Sequence, residues 1–118
     1  MNLTAAAIAA AIKQGETSAE AVVKATLERI QTQNNRLNCF TTVLTSSALA
    51  AAAEIDRRQA TGEDPGPLAG GPFAVKNLFD IAGTVTLAGS KINRDNPPAA
   101  QDATAIARLK AAGAILVG

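Results

Sequence analysis

The chain has 118 residues, 11 basic against 10 acidic side chains, no His and a formal net charge of +1. Such a balance argues against direct nucleic-acid binding, which leaves a clustered positive excess, and the lack of His removes the usual general base near neutral pH and the commonest metal ligand. Aromatic residues make up 3%, all of them Phe, and much of the 47% apolar content is Ala, so the expected core is thin for a free-standing domain.

The N-terminus lacks a basic flank followed by an apolar core, and no long apolar run follows, so neither a signal peptide nor a membrane span is expected. One cysteine, Cys39, forms no internal disulfide and suits a reducing, cytoplasmic setting. Thr4 to Gln14 reads as an Ala-rich helix with Leu3, Ile8 and Ile12 near one face, stopped by Gly15. Thr17-Ser18-Ala19-Glu20 has the capping-box form, with Thr17 at the N-cap. From Ser18 to about Asn34, Val22, Val23, Leu27 and Ile30 recur at helical spacing, and Asn34-Asn35 is the expected stop.

Cys39 to Leu44 is rich in Thr, Val and Phe and predicts a short strand. Thr45, Ser46 or Ser47 is placed to cap a third helix running to Ala60. Its Ala50–Ala53 run favours helix and lets neighbours approach closely. Thr61-Gly62-Glu63-Asp64-Pro65-Gly66-Pro67 marks an exposed turn and a boundary between a helical part, 1–60, with one short strand, and a mixed part, 61–118. Pro72 to Val75 predicts a buried strand, and Asp95 to Ala100 a loop. Asp102 is placed to cap a helix running to Ala112, with Ile106 and Leu109 inward and Gly113 as its stop. Ala114 to Val117 predicts a second buried strand. Helices alternating with short apolar strands indicate α/β packing. A parallel strand needs sheet neighbours, so the chain reads as the first portion of a larger fold.

Lys76 is the most informative residue. It closes Gly70-Gly71-Pro72-Phe73-Ala74-Val75, at the carboxyl end of an expected strand, where open α/β sheets place ligands. Burial there would disfavour the ammonium and make a neutral amine available as a proton acceptor. On spacing alone the ordinary alternative is a Lys that lays its stem on apolar surface and keeps its ammonium wet. Cys39 reads as a small hydrophobe, because no His or clear base accompanies it. Glu54 with Asp56, and Glu63 with Asp64, read as solvated surface. Gly70-Gly71 reads as a tight turn into the strand, with no Gly-Lys-Ser/Thr element to make a phosphate loop.

The stretch Pro67 to Asp80 resembles the amidase signature family, in which a Gly-x-Pro-(apolar)₃-Lys-(Asp or Asn) strand end carries the catalytic lysine. Gly70, Pro72 and Lys76 fall on its fixed positions, and Asn77 stands where Asp is commoner. Gly83 and Thr86-Leu87-Ala88-Gly89-Ser90 resemble the loop that follows, and Asp102 to Gly118 the next helix and strand. Within the family, the segments 74–80, 87–93 and 97–99 are most similar to the carboxybiuret hydrolase branch, and next to the glutamyl-tRNA amidotransferase A branch.

The resemblance implies an α/β fold, a mixed sheet flanked by helices, and a Ser–cis-Ser–Lys amide hydrolase needing no cofactor or metal. Lys76 would be the catalytic lysine, with Gly89 and Ser90 at the substrate-binding rim. A small urea-like amide is the implied substrate, and a homo-oligomer or a small partner subunit the implied assembly. The family's two serines lie in a Gly/Ser-rich segment that nothing in these residues resembles. Ser18, Ser46 and Ser47 stand at helix starts, where capping explains them, and Ser90 follows Gly89 in a turn. The 118 residues by themselves are therefore expected to be inactive, a non-catalytic interaction module being the other reading.

Overall fold

The computed structural model describes residues 3–118. Helix α1 spans Ala5–Lys13, with the Thr4 hydroxyl accepting the Ala7 amide as its N-cap. Ile12 of this helix is buried and Ile8 packs beside it, whereas Leu3 precedes the helix and is exposed. Helix α2 spans Ala19–Leu37 and is capped by Ser18, whose side chain accepts from the Ala21 amide. The cap is thus Ser18, one residue beyond the expected Thr17. Nor does Asn34 stop α2. The helix runs on to Asn38, whose left-handed backbone (φ 49°) ends it, a conformation Asn tolerates better than most residues.

Residues 39–44 form no strand. Backbone groups at the start of this segment are taken locally: the Asn34 side chain accepts from the Cys39 and Phe40 amides at 3.0 and 2.9 Å and donates to the Phe40 carbonyl at 3.0 Å. With those groups occupied, only Leu44 reaches the sheet, its amide donating to Val117 at 2.9 Å. Helix α3 spans Thr45–Thr61 and starts from Leu44 without a side-chain cap. The Ser47 hydroxyl donates back to the Leu44 carbonyl instead. Of the Ala run, Ala52 faces inward at 0% exposure, which lets α3 approach α2 closely.

Strand β1 (Pro72–Phe73) and strand β2 (Ile115–Leu116) pair in parallel, Pro72 opposite Ile115. Backbone bonds extend the pairing at both ends, from Gly70 N–H to the Gly113 carbonyl and from Val75 N–H to the Gly118 carbonyl. Helix α4 (Thr104–Ala111) lies between the strands in sequence and starts without a side-chain cap. The Asp102 carboxylate is engaged elsewhere, accepting from the Ala82 amide and the Lys110 ammonium. Ile106 is buried, but Leu109 is 36% exposed; so short a helix meets β2 along one narrow stripe.

Two glycines set how the halves meet. Gly113 has φ 94°, and a Cβ there would collide with the Pro65 carbonyl; a Cβ on Gly70 (φ 74°) would collide with the Ile12 side chain. Close crossing of 65–70 over 112–113 is what brings the two strands side by side. The core joins Ile12, Val23, Ile55, Ile115 and Val117 with Ala9, Ala19, Ala48, Ala52 and Ala69. Each fully buried Ile or Val contributes about 1.5–3 kcal/mol, and the alanines contribute mainly proximity. Among the described residues no helix is long and apolar enough to cross a membrane.

Candidate active site

A concavity of about 680 Å³ opens at the carboxyl ends of both strands, the place where parallel α/β sheets bind ligands. Ala74, Val75, Lys76, Asn77 and Leu78 form one wall, the 39–44 segment a second, and Leu87, Ala88 and Gly89 a third. Cys39 lies on this lining as an exposed free thiol.

Lys76 stands where the β1 pairing ends. One residue earlier Val75 makes the last bond to Gly118, and the Lys76 carbonyl then accepts the Leu78 and Phe79 amides, turning the chain. Within these residues the Lys76 side chain is exposed on the concavity, as for a Lys that keeps its ammonium wet, because the turn carries it clear of the strand pair. None of the ion pairs of the described residues involves it.

Asn77, on the same lining, engages the loop that follows. Its side-chain oxygen accepts the Leu87 amide at 3.2 Å, and its main-chain carbonyl accepts the Ala88 amide at 2.8 Å. On the far side, the Leu87 carbonyl accepts from the Asn93 side chain and from the Ser90 amide, each at 2.9 Å. This holds a tight turn in which Ala88 (φ 47°) and Gly89 (φ 71°) are both left-handed, a pair matching a type I′ turn. Ala pays roughly 1–2 kcal/mol for that conformation, so the turn persists because its flanks are tied.

Gly89 thereby reaches the lining beside Lys76. Ser90 does not reach it; its hydroxyl accepts the Ile92 amide at 3.4 Å and starts the 3₁₀ turn Lys91–Asn93. The Asp102 carboxylate braces the neighbouring segment that carries Ile81 and Thr84, and the Lys110 ammonium, then the Ala82 N–H, hold its carboxyl below the usual Asp range. The sequence motif points to Lys76, Gly89 and Ser90 but not to the clamp by Asn77 and Asn93. Its one available signal was an Asn following Lys76 in a loop-rich stretch.

The amidase family profile matches residues 21–118. The chain belongs to the amidase family. It is 53% identical over 107 residues to AtzE, a 1-carboxybiuret hydrolase subunit of Pseudomonas sp. strain ADP, covering 91% of this chain and 23% of that protein. Against the A-type subunit of the glutamyl-tRNA(Gln) amidotransferase of Salinispora tropica it is 44% identical over 118 residues, covering 99% and 24%.

Among solved structures, the inhibitor-bound form of a vestigial protein complex bearing on the origins of an s-triazine catabolic enzyme superposes with a TM-score of 0.96 at 50% identity, covering 98% of this chain and 25% of that one. The native peptide amidase of Stenotrophomonas maltophilia gives a TM-score of 0.89 at 32% identity, covering 99% and 24%. The α/β fold of the described residues is therefore that of amidases. The chain spans about a quarter of the length of these relatives.

Proposed function

We propose that the whole protein is an amidohydrolase that cleaves the C–N bond of a small urea-like amide of the carboxybiuret type, with Lys76 as the proton acceptor of its site. What supports this reading is that Lys76 lies on the concavity at the strand ends, that its motif resembles the family's lysine-bearing strand end, and that the chain is 53% identical to a carboxybiuret hydrolase subunit. In the chemistry that the resemblance implies, a neutral lysine amine takes a proton from a bridging serine, which takes one from the nucleophilic serine. The serine oxygen bonds to the amide carbon, the C–N bond breaks, and the proton passes to the departing nitrogen as ammonia forms. Water then hydrolyses the acyl-enzyme, leaving the acid and restoring the serine hydroxyl. Backbone N–H groups aimed at the tetrahedral oxyanion lower the barrier. Both serines would come from outside these residues, so the 118-residue chain by itself is inactive on this reading.

A second reading, an amidotransferase of the glutamyl-tRNA A-type, has 44% identity behind it. Ammonia release from 1-carboxybiuret by the whole protein, in the absence of ATP and tRNA, distinguishes the two: hydrolysis supports the first, and a strict requirement for ATP and tRNA supports the second. The named relatives are subunits of complexes, and a small partner subunit or a second copy is the assembly proposed here too. A reducing cytoplasm suits Cys39, an exposed thiol without a disulfide partner.

A further inference from the structure

We infer that Asn77 is a positioning residue for the reaction, fixing the Leu87-Ala88-Gly89 turn against the strand end that carries Lys76; this rests on the reading of Lys76 as the proton acceptor. Three observations meet at this point. Asn77 binds the turn through both its side chain and its main chain, to Leu87 at 3.2 Å and Ala88 at 2.8 Å. The turn it binds contains a non-glycine left-handed residue, Ala88 at φ 47°, so it relaxes unless it is held. Lys76, Asn77, Leu87, Ala88 and Gly89 all line one concavity, so relaxation would reshape the concavity on which the lysine stands.

The side-chain bond asks only for an acceptor. The Asn77 side-chain oxygen receives an N–H, and among the described residues its amide nitrogen donates to nothing. A carboxylate supplies the same acceptor, which gives a physical reason for an Asn to stand where Asp is commoner. A Leu at 77 would match its size but leave the Leu87 amide without a partner. Misplacing a wall of the site by about an ångström is enough to cost turnover on the order of a hundredfold.

The test uses the whole amidase with its partner, assayed for ammonia release from 1-carboxybiuret. Asn77→Leu is expected to lower kcat by ten- to a hundredfold with KM changed less than threefold, and Asn77→Asp to restore kcat to within threefold of the parent. Amide hydrogen exchange at Leu87 and Ala88 is expected to quicken in Asn77→Leu and not in Asn77→Asp. If Asn77→Leu proves insoluble, Asn93→Ala, which removes the side-chain bond to the Leu87 carbonyl on the other side of the turn, is expected to lower kcat in the same way. Faster exchange at Leu87 with kcat unchanged would overturn the positioning role. A Lys76→Met control separates the two failures: if it abolishes turnover while Asn77→Leu does not, only the inference about Asn77 falls; if Lys76→Met itself keeps turnover, the reading beneath both falls.

Discussion

The Asp56 carboxylate of α3 closes the N-terminus of α2, accepting the Ala19 amide at 2.7 Å and the Glu20 amide at 3.0 Å. Helix starts leave their first N–H groups without intrahelical partners, and here a side chain from a neighbouring helix supplies the acceptors. The same bonds fix the approach of α3 to α2, on which Ala19 and Ala52, both 0% exposed, depend. Asp56→Ala should lower stability by about 1–2 kcal/mol, as loss of a cap does, and chemical denaturation of the protein against the Asp56→Asn variant measures it. Asn keeps one oxygen acceptor and should lose less.

Gly113 and Gly15 make a controlled comparison. Both are left-handed, at φ 94° and 74°, but a Cβ at Gly15 meets nothing within 4 Å, whereas one at Gly113 meets the Pro65 carbonyl. Gly15→Ala should therefore cost only the backbone penalty of about 1 kcal/mol. Gly113→Ala should cost about 1–3 kcal/mol more through overpacking and should disturb the strand pairing it sits beneath. Equal melting shifts for the two variants would contradict the proposed role of the 65–113 crossing.

Glu54 should contribute to the acid response, alongside Glu63, Asp64 and Asp102, whose carboxyls are also held low. Hydrogen bonds from Arg57, then Arg58, pull the Glu54 carboxyl down to about 2. A folded-state value below the unfolded one stabilises the protein above the unfolded value, and that contribution is lost as pH falls towards the folded one. The window therefore runs from 4.5 down to about 2. The stability difference between the protein and Glu54→Gln should be constant above this window and shrink within it. Added salt should shrink it as well, since the pairs are exposed.

How far the sequence could be read depended on the range of the interactions. The buried faces of α1 and α2, the Gly113 stop and the strand-end position of Lys76 follow from local spacing and were legible. The errors fall where a partner lies far along the chain or where a helix side chain reaches past its own helix end. Asp102 looked like the cap of α4, yet its acceptors serve Ala82, 20 residues away. Asp56 looked like surface, yet it serves Ala19, 37 residues away. Asn34 looked like a helix stop because Asn often is one; instead it sits within α2 and occupies the backbone groups of Cys39 and Phe40. That removes the expected strand at 39–44. Of the residues to which the motif points, Lys76 and Gly89 line the concavity and Ser90 does not, whereas the Asn77–Leu87 bond depends on a loop fold that no local pattern encodes.

Ala88 offers a check on the strain in the turn. Ala88→Gly relieves roughly 1–2 kcal/mol of left-handed strain and gives back about 0.4–1 kcal/mol in unfolded-chain entropy. A net stabilisation of at most about 1.5 kcal/mol is expected. A clear loss of stability in thermal melts would show that Ala88 is not strained at φ 47°.

The most direct test of Lys76 as the proton acceptor is turnover of 1-carboxybiuret by the whole amidase carrying Lys76→Met, followed as ammonia release. Removing a general base costs typically 10²–10⁴-fold, so the account predicts a fall in kcat of at least about a hundredfold with the fold intact by circular dichroism. A variant that folds and turns over within a few-fold of the parent would contradict it.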